Sequence, residues 1–282
     1  MAVSLGDARG RWFVVKIGGE LAADKQKLAG TVGKAVASFV EAGVKVAVVH
    51  GGGPQATELQ KKLGIEVRQV GGRRITDAAT LEVMKMSLAG QVSVDVASAF
   101  RIAGVLAVCT TGASSGLVDA VKRPPLVVSG GPQEPVDFGL VGDVTDVNVA
   151  LIEKLAGAGV VPVLGSLAGS PDGSVYNVNA DTVATRVAAR LKAARLFMVS
   201  NVPGVLRDKN DPSTRIAKLT LADARAQIAS GVIVGGMIPK VEESFAMLDE
   251  GIEAIHIVGL NPPDAIFREA QEPGSAGTAF VR

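Results

Sequence analysis

Two stretches near the start of the chain decide how it folds: Trp12-Phe13-Val14-Val15-Lys16-Ile17-Gly18-Gly19-Glu20 and Val44-Lys45-Val46-Ala47-Val48-Val49-His50-Gly51-Gly52-Gly53-Pro54. In each, a β-prone run (Trp12 to Ile17, Val44 to Val49) stops at a glycine cluster. The runs are nearly continuous in apolar residues rather than alternating, which is the pattern of strands buried on both faces. Runs of the same kind recur at Val105 to Cys109, Val160 to Leu164, Arg195 to Ser200 and Ala254 to Val258. Strands of this type pair in parallel and need helices on both sides, so the expected class is α/β: a three-layer αβα sandwich around a central, mostly parallel sheet.

The segments between the runs supply those helices. Lys25 to Ala42, Asp77 to Ala103, Val147 to Ala158, Asp181 to Ala193, Leu221 to Ser230 and Pro239 to Glu250 carry apolar residues three and four apart, as at Leu28, Val32, Ala35, Val36 and Phe39. Thr76-Asp77 and Asn179 read as N-caps, and Gly43, Gly159 and Gly251 follow helix ends. Two stretches break the alternation. Glu66 to Thr76 reads as a hairpin turning at Gly71-Gly72, and Leu117 to Gly142 is expected to add short antiparallel strands; both are expected at one edge of the sheet. No internal repeat or low-complexity linker occurs, so residues 1–282 are expected to form one unit of two lobes around a cleft.

Composition removes several functions. Lys+Arg number 29 and Asp+Glu 28, a net charge of +1, which gives no field for nucleic acid or an anionic membrane. With 48% hydrophobic and 20% charged residues the chain has ample material for a core. One Cys cannot form an internal disulfide or a thiolate cluster, and two His make a His-rich metal site a poor expectation, so no protein-held metal is expected. The first residues carry Asp7, Arg9 and Arg11 where an export signal would be apolar, and a cytoplasmic location is expected. The longest uncharged run, Leu155 to Pro171, is interrupted by glycines and prolines and reads as a buried strand with its turns. Glycine, at 34 of 282 residues, exceeds the usual share of roughly 7%.

Those glycines gather where chemistry is expected. Gly18-Gly19 and Gly51-Gly52-Gly53 end the first two strands, ahead of helices, so both loops face the carboxyl edge of a parallel sheet, where ligands bind. There backbone N–H groups and a helix N-terminus favour an anion such as phosphate. The pattern is neither G-x-x-x-x-G-K-[ST] nor G-x-G-x-x-G, which disfavours both common nucleotide fingerprints. Further clusters are Tyr176-Asn177-Val178-Asn179-Ala180-Asp181, Ser200 to Leu206 and Gly235-Gly236-Met237-Ile238-Pro239-Lys240. A lysine in the first turn of a helix opposes the helix dipole, so Lys240 has another anion to meet. His50 is expected to orient its loop by a hydrogen bond, while His256 and Cys109 read as core residues.

The segments KIGGE, VVHGGGP, GGRRITDAATLEVMKM, VNADTVA, VPGV and GGMIPKVE, in this order, resemble the amino acid kinase family over essentially the whole chain. Within it the resemblance is to the branch that phosphorylates the side-chain carboxylate of N-acetyl-L-glutamate with ATP and Mg2+ in arginine biosynthesis. It implies Lys16 and Lys240 as cations on the moving phosphoryl group, Asp181 holding both lysines, and Gly18 and Gly19 as phosphate-binding backbone. It likewise implies Gly52, Gly53, Arg74 and Asn177 as acceptor-binding, with Arg74 on the α-carboxylate. Asn201, Val202, Pro203, Gly204, Val205 and Leu206, with Val232, Ile233 and Val234, are implied as nucleotide-binding, and the metal is carried mainly by the nucleotide. The N-lobe, about 1–190, would take the acyl amino acid and the dimer contact, and the C-lobe, about 191–282, the ATP.

Family members usually carry Asp where Asn201 stands, and Thr110 to Gly116 lacks a Lys-Asp pair common in relatives. His256, Glu269 and Gly277 resemble parts of a site where arginine inhibits some relatives, although Gly259-Leu260 replaces the usual Asp-Gly; arginine feedback or a regulatory protein partner stays open. The hexameric relatives carry a longer N-terminal helix, so a homodimer is expected. The alternatives are a kinase acting on N-succinylglutamate or an aminoadipate derivative, and a non-catalytic sensor of the same fold.

Overall fold

The computed structural model describes residues 5–282 apart from Ser129, Lys209 and 234–236, and without the side chains of Met237, Pro239, Lys240, Glu242 and Glu243. Strands β1 (Trp12–Ile17), β2 (Lys45–His50), β3 (Ala107–Thr111), β4 (Val161–Gly165), β5 (Arg195–Val199), β6 (Lys218–Leu219), β7 (Ile255–Val258) and β8 (Gly277–Phe280) form one eight-stranded sheet in the order β6-β8-β7-β5-β1-β2-β4-β3. Every pairing is parallel except β7 with β8. The six strands expected from the sequence are present, within a residue or two.

Both faces of the sheet are covered. Along β1, Val14 belongs to one core with Ala47, Val49, Leu196 and the helix residues Val183, Ala184 and Val187, while Phe13, Val15 and Ile17 belong to the other with Val36, Phe39, Val96 and Phe100. One strand therefore feeds two cores, which is why its apolar run does not alternate. Phe13, Phe39 and Phe197 meet at ring-centroid distances of 5.2 to 5.8 Å.

The helices that matter for the site are α1 (Gly53–Lys62), α2 (Ala78–Lys85), α3 (Ser93–Ile102), α4 (Ala180–Arg190), α5 (Met237–Asp249) and α6 (Ala265–Gln271). Asp77 caps α2 by accepting from Thr80 N at 2.8 Å, and Asn179 caps α4 by accepting from Asp181 N at 2.9 Å. Between α2 and α3 the helix widens into a π turn, Met86–Val92.

The hairpin and the antiparallel strands form as expected, but not at an edge of the main sheet. Gln69–Val70 pairs with Arg73–Arg74 through a turn in which Gly71 and Gly72 have φ of 55° and 74°, values that suit glycine. Val118–Lys122 and Gly142–Val147 join Leu167–Gly169 and Val175–Asn177 in a separate four-stranded sheet. The chain leaving β4 continues past the carboxyl edge into Leu167–Gly169, and the extra strands pair with it there. The true edges are β6 and β3.

Candidate active site

At the carboxyl ends of β1 and β2 the two glycine loops touch. A Cβ on Gly19 would lie 2.9 Å from Gly52 Cα and 3.0 Å from Pro54 Cδ, and one on Gly52 would lie 2.7 Å from Leu88 Cδ2. Real Cβ atoms do not approach so closely, so glycine at 19 lets the two loops meet, while glycine at 52 makes room for the Leu88 and Val92 side chains behind its loop. Gln55, in the first turn of α1, ties them by donating from Nε2 to Gly19 O at 2.6 Å. The N-terminus of α1 thus stands beside the Gly18-Gly19 backbone, with Pro54 in its first turn.

Two cavities open on these loops. The smaller, about 410 Å³, is lined among others by Glu20, Met198, Asn201, Val202 and Ser244. The larger, about 770 Å³, is lined by Gly51, Gly52, Gly53, Arg74, Phe138 and Asn177 among others. Lys16, Gly18, Gly19, Asp181 and Met247 line both and form the wall where the two meet.

In that wall, Lys16 Nζ lies 2.8 Å from Asp181 Oδ1, with the side chains 17% and 41% exposed. Lys16 reaches the cleft from β1, between Val49 of β2 and Met198 of β5 in register, and Asp181 from the first turn of α4. Because Asn179 satisfies the helix end, the Asp181 carboxylate is free to face the lysine.

Arg74 enters the larger cavity from the hairpin. Its Nη2 donates to Thr57 Oγ1 at 2.6 Å and Gly53 O at 3.1 Å, and Nη1 donates to Gln60 Oε1. Among the described residues it forms no ion pair. Burial presses its pKa downward, as expected for a cation whose charge no carboxylate answers. Asn177 donates from Nδ2 to Thr76 Oγ1 at 3.1 Å, which turns the amide toward the same cavity.

The structure gathers some of the expected nucleotide residues and not others. Asn201 and Val202 line the smaller cavity, where Asn201 Nδ2 donates to Glu20 Oε2. Pro203, Gly204, Val205 and Leu206 line neither cavity. Val205 is buried in the core and donates from its N–H to Thr278 Oγ1 at 2.8 Å, and Gly204, at φ 152°, packs against Thr278. Ile233 is likewise a core residue, and Val232 lines neither cavity. Val234 and the Lys240 side chain lie outside the described residues. The backbone of α5 sets Lys240 four and seven positions before Ser244 and Met247, on one helical stripe whose later members line the cleft.

His50 is buried, within 3.1 Å of Gly51 O and of Ser93 Oγ, and its pKa is pushed down by burial; it lines neither cavity. Cys109, expected in the core, is half-buried in the edge strand β3, and burial pushes its thiol up to about 11, which keeps it protonated at neutral pH. His256 and Glu269 form a wholly buried pair, Nδ1 to Oε1 at 2.8 Å. The Glu269 carboxylate also accepts from Gly274 N at 2.7 Å, Ala276 N at 3.0 Å and Gly277 N at 2.7 Å. Sequence reasoning missed Gln55, Thr57, Gln60, Thr76 and Glu20. Glu20 and Thr76 stand inside the KIGGE and GGRRIT segments and Gln55 follows HGGGP, so these three lay within reach of a motif, whereas nothing in the sequence marks Thr57 or Gln60.

Comparison with known proteins resolves the family. The model of the amino acid kinase family matches residues 11–259. The chain belongs to the amino acid kinase family. Two relatives in it, both called acetylglutamate kinase, come from Sorangium cellulosum (53% identical, 95% of this chain and 94% of the relative) and Anaeromyxobacter dehalogenans (47% identical, 95% and 98%). The crystal structure of carbamate kinase from Giardia lamblia matches with a TM-score of 0.67 over 98% of this chain and 99% of that one; at 15% identity this is a likeness of fold. The amino acid kinase assignment agrees with the α/β architecture and with the glycine loops at its carboxyl edge.

Proposed function

We propose that this protein is an acetylglutamate kinase, transferring the γ-phosphoryl group of ATP to the side-chain carboxylate of N-acetyl-L-glutamate to give N-acetyl-L-glutamyl 5-phosphate, a step of arginine biosynthesis. The observation that carries the proposal is the shared wall: two cavities meet at Lys16, Asp181 and the Gly18-Gly19 backbone. ATP takes the smaller cavity, with Asn201 and Val202 at its mouth, and the acyl amino acid takes the larger, with its α-carboxylate on Arg74 and its amide near Asn177. This makes residues up to about 190 the acceptor lobe and the rest mainly the nucleotide lobe.

A carboxylate of pKa about 4.3 is ionised at neutral pH and needs no general base. One of its oxygens bonds to the γ-phosphorus while the bond from that phosphorus to the β–γ bridging oxygen breaks, and the electron pair leaves on ADP. Two anions must therefore be brought together, and the work is to position them and absorb charge. Lys16 supplies charge from the first strand, held by Asp181, and Lys240 supplies it from the nucleotide side. The glycine-loop N–H groups and the start of α1 add donors where the phosphoryl group passes. Mg2+ is needed to screen the triphosphate. Around the cleft Asp181 is engaged by Lys16 and Glu20 by Asn201, a donor set that fits a metal carried on the nucleotide's own phosphates.

We also propose a homodimer formed through the β3 edge. That strand ends the sheet, and beside it Leu106 and Val94 are each 64% exposed, with Ile102 and Val108 exposed as well. A cytoplasmic location belongs to the same proposal and rests on the near absence of cysteine. The test of the activity is trapping with hydroxylamine: MgATP with N-acetyl-L-glutamate is expected to yield an acyl hydroxamate, and N-succinyl-L-glutamate or N-acetyl-L-aminoadipate little. Preference for either of the latter would reassign the acceptor, and no product with any of them would remove the kinase reading.

A further inference from the structure

Behind Arg74 stands a residue that lines neither cavity. Gln60, in the last turns of α1, is 0% exposed, and a buried primary amide is costly unless its donors and acceptor are matched. Here they are. Nε2 donates to Glu66 O and to Thr80 Oγ1, each at 3.2 Å, and Oε1 accepts from Arg74 Nη1. The two donor bonds fix which way the amide points: with both N–H groups committed to oxygens, only the carbonyl can face the guanidinium, and a flipped amide would set donor against donor. Thr80 is itself buried at the start of α2, where its N–H bonds to Asp77, so the amide is anchored to a capped helix.

The chemistry of the Arg74 partners is as informative as their number. Gln60 Oε1, Thr57 Oγ1 and Gly53 O are all neutral acceptors. They fix the plane of the guanidinium without cancelling its charge. A glutamate at position 60 could reach the same nitrogen, but it would form an ion pair and leave no net charge for a ligand. An apolar residue of equal size would leave the guanidinium held through Nη2 alone, with Nη1 unanchored and its plane less firmly fixed.

We infer that Gln60 is the positioning residue for Arg74: a neutral, buried anchor that orients the guanidinium toward the acceptor's α-carboxylate while keeping it a full cation. This deepens the proposed function and rests on it, because it takes the larger cavity to be the acceptor site.

The test compares Gln60→Met, Gln60→Glu and Thr80→Val with wild type by steady-state kinetics and thermal unfolding. Thr80→Val leaves Gln60 in place and removes one of its anchors, and it serves should the Gln60 variants fail to fold. Gln60→Met is expected to raise KM for N-acetyl-L-glutamate about tenfold, Gln60→Glu further, and Thr80→Val a few-fold. In each, kcat and KM for ATP are expected to stay within about threefold of wild type. A merely structural role would move both KM values and the active fraction together and would not rank Glu above Met; that pattern, or unchanged KM for the acceptor in all folded variants, overturns the inference. Wild type that turns over no acyl amino acid would remove the kinase reading instead. Gln60 is then judged by 15N signals of the Arg74 guanidinium: separate Nη resonances in wild type that merge in Gln60→Met or Thr80→Val support the anchor, and identical spectra contradict it.

Discussion

In the proposed reaction the chemistry is concentrated at Lys16. It is a lysine in a strand whose other members are buried, and its ammonium is mostly shielded at the junction of two cavities, 2.8 Å from Asp181. A long side chain loses about 2 kcal/mol of rotamer freedom when fixed, and Asp181 does the fixing before any substrate arrives. Lys16→Met should lower kcat by about 10²-fold or more with KM for either substrate changed far less, because the charge matters most as the phosphoryl group moves. Initial-rate measurements with both substrates varied check this, and a kcat within a few-fold of wild type would remove Lys16 from the mechanism. That Lys16, Asp181, Arg74 and Asn177 would gather at the cleft was legible in the sequence, because each sits inside a motif at a strand end or helix start. Gln60 was not. Nothing in ELQKKLG distinguishes a buried glutamine from a surface one, since the difference lies in Glu66, Arg74 and Thr80, which only the fold brings round it.

Among the elements, five of the six strands that the sequence announced are buried on both faces, where continuous apolar residues leave little alternative; the sixth, β3, was expected buried but ends the sheet with Val108 exposed, because its one outer side lacks a pairing strand. The two that the sequence did not announce are short edge-side pieces: β6 has two residues, and β8, Gly-Thr-Ala-Phe, has a single bulky apolar residue and is held by pairing to β7. The segment containing β8 is tied down through Glu269, whose carboxylate gathers His256 of β7 and the N–H groups of Gly274, Ala276 and Gly277. Burial lowers the His256 pKa, against the opposing pull of Glu269. Burial would raise that of Glu269, yet the hydrogen bond and charge of His256 and the backbone donors leave it lowered overall. Both groups thus bind a proton more readily in the unfolded chain, so their contribution is full above the unfolded values, 6.5 for the imidazole and 4.5 for the carboxylate, and is lost progressively as pH falls from there through the lower folded values. His50, also lowered, acts in the same direction. The melting temperature should therefore drop between about pH 7.5 and about pH 5.5, and His256→Gln should flatten the drop. A melting temperature that rises on acidification over that interval would contradict the assignment.

For the molecule as a whole, a mostly parallel sheet delivers two glycine loops and the capped start of α4 to one edge, and the second, smaller sheet helps wall off the larger cavity there. The cleft was foreseen from the loops. The residues that divide it were only partly visible, because the wall joins Lys16 and Asp181, which stand in motifs, to Met247, which only the packing of α5 brings to the cleft. The exposed β3 edge should make the protein elute at twice its chain mass of 28.7 kDa, and Leu106→Glu together with Val108→Lys should shift it toward the monomer in light scattering. A wild-type monomer at micromolar concentration would reject the proposed interface. The central claim is that a side-chain carboxylate attacks phosphorus across the Lys16–Asp181 wall, and an oxygen label tests it most directly. N-acetyl-L-glutamate carrying 18O in its side-chain carboxylate, incubated with MgATP and hydroxylamine, should release inorganic phosphate bearing one 18O, the former bridging atom, in step with hydroxamate. Phosphate free of label, or hydroxamate without labelled phosphate, would contradict the account.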